Sequence, residues 1–374
     1  MKRWILAICL TLGAWSALAQ DQKAEKKPDQ KTEQAAPVPN ITSVPQGRGQ
    51  PVYVRAGLSF LQLQGIDEND GSFTATVDMR LRWQDLRLAY PADQEATGYQ
   101  EFTEADADKK LTQIWQPNIE FNNLKGSPTF QKRGLRIYPN GRVEMMQRTT
   151  GAFNTDFSLE NFPFDKQKLV VELIARNEPI QKVMLDFQQD DLEFSNAQHG
   201  GGAEGWVLGL VELAKSTAEA WHGEQNSQLK IALVVKRDQK SLLATIFVPL
   251  FASLLIPLLV LWLNKIEDGE FAIDAFQLTN ISIGGLFAVV ALNFTVNSSF
   301  VKLAAGDNPV MRLFGLNYFL LALSIAVGIL LYRFNLVKRL FGPYVQEEFF
   351  IFINWAVPVV VFATATAMVL MAVF

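Results

Sequence analysis

The run QLKIALVVKRDQKSLLATIFVPLFASLLIPLLVLWL, Gln228–Leu263, changes solvent in its middle. Gln228–Arg237 sets charged residues around an apolar, β-branched centre and reads as a short strand. From Ser241 to Leu263 no charge occurs, and the length meets the ~20 residues that a helix needs to cross a bilayer core. Pro249 and Pro257 are compatible with such a helix, because neighbouring helices satisfy the carbonyls they free. The chain therefore divides near residue 239 into a part built for water and a part built for lipid.

Downstream, three more apolar runs occur, giving expected spans at about 241–263, 276–297, 311–334 and 349–373 within a helical domain 239–374. Four such runs in succession argue against a buried soluble bundle. Upstream, Phe73–Trp83, Leu135–Thr149, Gln167–Ala175 and Trp206–Ala214 read as further strands, and Pro139-Asn140-Gly141 is a hairpin signal. No long helical period interrupts them. Residues 51–238 are therefore expected to form an antiparallel β-sandwich of immunoglobulin type, all-β, ahead of the all-α four-helix domain.

The N-terminus MKRWILAICLTLGAWSALAQ has the basic start, apolar middle and small residues Ala17 and Ala19 of a secretory signal peptide, residues 1–19. It contains Cys9, the one cysteine of the chain, so no disulfide or cysteine metal site is expected after its removal. Residues 20–50 are polar and Pro-rich and read as a disordered tether. The net charge of −4 gives no sign of nucleic-acid binding, and His199 and His222, the only histidines, exclude a histidine-rich metal centre. No Ser/His/Asp set or nucleotide loop is present, so no enzyme, cofactor or metal is expected. Export places the β domain outside, and Arg333, Lys338 and Arg339 then fall on the inner side, as the positive-inside tendency requires.

The second span, FQLTNISIGGLFAVVALNFTVNSSF, carries Gln277, Thr279, Asn280, Ser282, Asn293, Thr295 and Asn297. Intramembrane polar groups face either partner helices or a water-filled path. One helix cannot enclose a path, but identical copies around an axis can. Helical spacing groups Asn280, Gly284, Phe287, Ala291 and Thr295 with Phe294 on one stripe, and Thr279, Ile283, Leu286, Val290, Asn293 and Asn297 on the next. Either stripe has polar ends and an apolar waist where a ring of Phe287, or of Leu286 and Val290, would stop conduction by dewetting. Glu267, Asp268, Glu270 and Asp274 before it form either a solvated turn or an acidic inner mouth. A second odd stretch, LENFPFDKQKL (Leu159–Leu169), sets Pro163 between Phe162 and Phe164 ahead of Asp165. By itself it is a turn pinned to a core.

Together these residues resemble the pentameric ligand-gated ion channels, the Cys-loop receptor family, over about Pro51–Phe374. RLRWQDLRL, with Trp83, Asp85, Arg87 and Leu88, is similar to the second-strand signature, and IWQPNIEF, with Trp115 and Pro117, to the first binding loop. NFPFDKQ is similar to the signature loop, Arg237 to the arginine before the first span, and Pro249 to the proline within it. Thr155 and Leu169 stand where animal members keep paired cysteines, so the resemblance is to cysteine-less bacterial members. Two departures concern ion selection: no glutamate immediately precedes the pore helix, and the linker after the first span is long.

The resemblance implies a homopentamer in a bacterial inner membrane, with its β domain in the periplasm, taking a small-molecule ligand between subunits and passing ions, by expectation cations. Anion passage and a non-conducting envelope sensor are the alternatives. It implies that Phe162, Pro163, Phe164, Asp165 and Arg237 form the gating junction, beside Gly65–Ser72 and the linker Asn297–Pro309. It implies a ligand site formed by Asn118, Phe121, Asn177, Glu178 and Trp221, the last near the tip of the hairpin Lys215–Gln228. Asp78 and Arg80 would lie across the interface. The implied pore is lined by Asn280, Gly284, Phe287, Ala291 and Thr295, with Asp274 and Glu270 at its inner mouth.

Overall fold

The structure is a computed structural model that describes residues 41–45, 49–196, 202–220, 223–267, 270–300 and 306–373. The expected signal peptide and most of the tether lie outside the described residues, as do Trp221, His222 and Asp268.

Ten strands build two facing sheets. They are β1 (Val52–Asp67), β2 (Ser72–Gln84), β3 (Gln100–Thr103), β4 (Ile119–Phe121), β5 (Leu124–Ile137), β6 (Arg142–Asn154), β7 (Lys166–Ala175), β8 (Val183–Asp186), β9 (Trp206–Glu219) and β10 (Gln225–Arg237). One sheet has the order β3-β5-β6-β2-β1-β8, the other β4-β7-β10-β9. Along β2 the side chains alternate between the core and the outer face, as the two-residue period demands. Ala75, Val77, Met79, Leu81 and Trp83 go inward, against Leu169, Val171 and Leu173 of the facing sheet. The core is aromatic at both ends, with Phe73 stacked on Phe153 at 5.5 Å and Trp83 edge-on to Trp115 at 6.2 Å.

The hairpin between β5 and β6 depends on Gly141. Its φ of +77° is open to glycine, and a Cβ there would stand 2.5 Å from the carbonyl oxygen of Asp85. Two features depart from the expectations drawn from the sequence. The β1–β8 pair is parallel, because the chain crosses from one sheet to the other between β7 and β8 and no hairpin dictates the direction. Two short helices, α1 (Ala105–Gln113) and α2 (Gln189–Asn196), lie between strands, each too short for a helical period to stand out.

Arg237 ends β10, and Asp238 caps the first turn of the helical domain by accepting from the Lys240 N–H. The helices are α3 (Leu243–Trp262), α4 (Ala275–Ser299), α5 (Pro309–Arg333), the short α6 (Leu336–Phe341) and α7 (Pro343–Val373). α3, α4, α5 and α7 are long and apolar enough to cross a membrane. α3 begins with a widened π turn, Leu243–Phe247, and α5 ends with another, Gly328–Arg333. Gly285 lets α3, α4 and α5 meet: a Cβ there would stand 2.6 Å from Ile256 and 3.2 Å from Leu321. Between α3 and α4 the long linker folds as a small hairpin of β11 (Ile266–Glu267) and β12 (Glu270–Phe271). Phe271 packs its ring on Tyr332 at 4.5 Å and on Phe350 at 5.4 Å, so the hairpin is seated on α5 and α7.

Candidate functional site: the domain junction, the outer sheet face and the pore helix

The loop between β6 and β7 carries the Phe-Pro-Phe stretch to the helices. Its turns close through Phe162 N–H to the Leu159 carbonyl at 3.1 Å and Phe164 N–H to Asn161 at 2.7 Å, and the Phe162–Pro163 peptide is cis. Phe162 is fully buried, among Ile246, Leu250, Val296 and Val310 of the helical domain and not among the sandwich core. Its ring meets Phe300, at the end of α4, at 5.0 Å, and Phe164 meets Phe247 of α3 at 6.2 Å. Burying such a ring stabilises by roughly 1.5–3 kcal/mol, here across the boundary between the two domains.

Above this contact sits Arg237. Its Nε and one Nη donate to the two Asp165 oxygens at 2.7 and 2.9 Å, and the other Nη donates to Glu68 at 2.7 Å. The guanidinium lies between two rings, 4.3 Å from the centre of Trp206 and 4.9 Å from that of Phe162. Gln167 completes the cluster by donating to Asp165 at 2.5 Å and to the Ser158 carbonyl at 2.7 Å. Burial works to lower the Arg237 pKa, but the hydrogen bonds to Asp165 and Glu68 reverse the sign and hold it above the ordinary guanidinium value. The charge is therefore permanent and ties three segments together: the β1–β2 loop, the β6–β7 loop and the end of β10. Glu68 belongs to the loop Gly65–Ser72 expected beside this junction, though not singled out within it, and Trp206 is a member that sequence reasoning did not place here. An aromatic at the start of a strand is too common a signal to single it out.

The expected ligand residues fall on two separate surfaces of one chain. Asn118, Asn177 and Glu178 lie near the β4–β7 edge, where the Arg176 N–H donates to the Asn118 carbonyl at 3.3 Å and Glu178 pairs with Lys182 at 3.2 Å. Phe121 turns toward the sandwich core, edge-on to Phe153 at 5.6 Å, because β4 alternates with that residue on its inner side. Asp78 and Arg80 lie on the outer face of the other sheet. Asp78 is held by Arg148 through two bonds of 2.8 Å.

Arg80 donates to Asp191 at 3.1 Å and to the Asp190 carbonyl at 2.9 Å, and covers the Phe194 ring at 4.2 Å. Arg55 and Arg82 converge on the same two aspartates at the start of α2, and Asp191 is wholly buried among them. Burial pushes the Asp190 carboxyl up, but the bonds and charges of Arg82 and Arg55 outweigh it and leave its pKa below the ordinary value. Beside this cluster is a cavity of about 410 Å3 whose walls include Arg80, Phe102, Arg136, Glu144, Met146 and Phe194.

On α4, Ala275, Leu278, Ser282, Gly285, Val289 and Val296 are buried against the rest of the chain. Ser282 shares a hydrogen bond with Ser324 of α5 at 3.0 Å, and Asn293 donates to the Tyr318 hydroxyl at 3.0 Å. The second stripe is thereby partly engaged with α5. Asn280, Gly284, Phe287, Ala291 and Thr295 are exposed on the opposite side, with Phe287 and Phe294 more than two-thirds exposed at 71% and 74%. Glu270, in β12, and Asp274, immediately ahead of α4, are exposed. Among the described residues no group of three or more His, Cys, Asp or Glu is placed to hold a metal ion.

A family model, the neurotransmitter-gated ion-channel ligand binding domain, matches residues 39–239. The proton-gated ion channel of Gloeobacter violaceus is 22% identical over 291 residues, which cover 78% of this chain and 74% of that protein. The theta subunit of the gamma-aminobutyric acid receptor of Mus musculus is 22% identical over 245 residues, 64% of this chain but 36% of that longer subunit. With a sandwich matched from end to end and four helices long enough for a bilayer, this multi-pass membrane protein is a ligand-gated ion channel and not an enzyme, and it belongs to the pentameric ligand-gated ion channel family, on the side of its prokaryotic members.

Proposed function

We propose that five identical chains surround an axial pore lined by Asn280, Gly284, Phe287, Ala291 and Thr295 of α4. The observation that carries this reading is the exposure of that stripe directly across α4 from the face buried by α3 and α5. A polar-ended, apolar-waisted stripe left exposed among the described residues needs other copies or lipid to cover it, and symmetry supplies copies. Phe287 forms the dry constriction. Glu270 and Asp274 bias the inner entrance toward cations. The ligand-binding domain, 51–238, lies in the periplasm and the pore domain, 239–374, in the bacterial inner membrane. A small molecule binds between subunits, with Asn118, Asn177, Glu178 and Trp221 on one side and the sheet face of Asp78 and Arg80 on the other. Its binding shifts a two-state equilibrium through Arg237 and Phe162.

The test is current through purified protein in planar bilayers under a salt gradient, wild type against Phe287→Ala. Cation-selective current that appears or increases in the variant supports the reading. The exposed Phe287 and Phe294 rings also favour a second one, a non-conducting ligand sensor. Silence from both proteins, with pentamers confirmed by mass, selects it.

A further inference from the structure

The linker between α3 and α4 is apolar on one side and acidic on the other. In the β11–β12 hairpin Ile266 stands opposite Phe271, and Glu267 opposite Glu270. Directly paired residues share a face of the ribbon. Ile266, Phe271 and Ile273 are accordingly half-buried, while Glu267, Glu270 and Asp274 are exposed. Two carboxylates at opposed positions repel, and a two-stranded hairpin this short is not stable in water by itself. Lys265 pairs with Glu267, but Glu270 makes no ion pair or side-chain hydrogen bond among the described residues. Asp274 occupies the N-cap position of α4, where a carboxylate ordinarily accepts from the first turn, yet its side chain makes no such bond. The acidic face therefore does not hold the hairpin in shape.

The apolar face and the base do. Asn264, buried just after α3, accepts from the Ile273 N–H at 3.1 Å, and the Ala272 N–H donates to the Lys265 carbonyl at 2.9 Å. Ile266, Phe271 and Ile273 pack against a buried cluster to which all four long helices contribute. Within it Phe271 makes the ring contacts. It meets Tyr332 at 4.5 Å and 61° and Phe350 at 5.4 Å and 76°, the edge-to-face geometry that aromatic pairs favour. Tyr332 and Phe350 meet each other at 6.2 Å, so the three rings close a triangle between the hairpin, α5 and α7. Glu270 is the residue before Phe271, and Asp274 is the third after it. One ring thus stands between two uncommitted carboxylates along the chain and fastens them to two helices other than α4.

We propose that Phe271 is a positioning residue for ion passage: its ring, held by Tyr332 and Phe350, fixes Glu270, Asp274 and the first turn of α4 at the inner mouth. Phe271 does not meet the ion. It keeps the two carboxylates in place against their own repulsion and against fraying of the helix start. This rests on the reading of α4 as the pore helix, and it adds that the charges of the mouth act through an aromatic anchor on α5 and α7.

The experiment compares wild type with Phe271→Leu, Phe350→Leu and Tyr332→Phe in the full-length protein. Amide exchange over residues 264–280 is read in nanodiscs, and the reversal potential is read in planar bilayers under a salt gradient. Phe271→Leu keeps apolar volume but loses both ring contacts. Exchange in β12 and the first turn of α4 should rise about tenfold. The reversal potential should move toward zero although no charge has changed. Phe350→Leu alters only the far helix and should shift both readouts the same way. Tyr332→Phe keeps all three rings and removes a hydroxyl that has no hydrogen-bond partner among the described residues, so it should alter neither. Wild-type exchange in Phe271→Leu overturns the proposal. Faster exchange with an unchanged reversal potential in a conducting protein also overturns it. Should Phe271→Leu fail to assemble, Phe350→Leu decides by the same readouts, with the hairpin sequence intact. Exchange is read without current, so faster exchange in a silent protein leaves the anchor standing while the pore reading fails. Selective current that Phe271→Leu and Phe350→Leu leave unchanged removes the anchor while the pore reading stands.

Discussion

The guanidinium of Arg237 rests 4.9 Å from the centre of the Phe162 ring, and the same ring meets Phe300 at 5.0 Å. A fixed charge at the end of β10 is thus one side chain away from the C-terminal end of α4. Phe162→Ala should destabilise the protein by ~3–5 kcal/mol, the usual cost of emptying a buried phenylalanine site. The ring pair should also be worth ~0.5–1.5 kcal/mol beyond burial. A double-mutant cycle of Phe162→Leu and Phe300→Leu, read in denaturant and in open probability, measures it. Strict additivity in both would remove this contact from the gating path.

The ion pair makes a separate prediction. Asp165 and Arg237 side chains are 2% and 5% exposed, and Arg237 also pairs with Glu68, so Arg237→Gln strips the cation from two acids while Asp165→Asn leaves Arg237 one carboxylate, Glu68. Arg237→Gln should cost ~3–5 kcal/mol and Asp165→Asn less, while the double variant should cost clearly less than their sum. Chemical denaturation of the four proteins provides the cycle. Equal costs for the double variant and the summed single changes would mean that Gln167, Glu68 and Trp206 hold each residue independently.

The two adjacent glycines of α4 should behave differently. Gly285 faces Ile256 and Leu321, and an added methyl overlaps both, so Gly285→Ala should destabilise by ~1–3 kcal/mol. No atom stands within 4 Å of a Cβ built at Gly284, and alanine there should keep or raise stability through its better helix propensity. Gly284 lies on the proposed pore stripe, so its alanine variant should instead alter unitary conductance. Melting curves and single-channel records separate the two effects. A larger stability loss at Gly284 would reverse the assignment of faces.

Acid should release α2 from the sheet. The Asp190 carboxyl, and that of Asp186 next to it, both have pKa values held below the ordinary aspartate value in the fold. At Asp186, burial again pushes upward and is outweighed by Lys215 and by the Phe187 N–H. A depressed folded-state pKa contributes stability that is present above the unfolded value of ~3.9 and is lost as pH falls through the folded one. Amide exchange along α2 should therefore accelerate below about pH 4, before the sandwich core opens. Asp190→Asn should flatten that dependence. Exchange in α2 that stays constant to the acid unfolding point would contradict the sign argued here.

Much was legible in the chain itself. Two-residue alternation with turn signals specifies strands, and uncharged runs of membrane length specify helices, because both patterns record the solvent on each face. The Phe-Pro-Phe-Asp stretch and Arg237 were legible as a junction through their likeness to a family motif. Other features depended on contacts between residues far apart in sequence. Trp206 and Glu68 join Arg237 only once three segments converge. Phe121 and Asp78 were expected to meet a ligand, but one turns to Phe153 and the other is taken by Arg148. The stripe of α4 that faces away from its own bundle was one of two until Ser282, Gly285 and Val289 were seen packed. Glu144 is the clearest case. Local pairing rules give it Arg82 of β2 and Arg136 of β5, and it has neither, because α2 and β3 offer those arginines better partners. A sequence records each residue's preference, but competition among partners for the same charge is settled only in three dimensions.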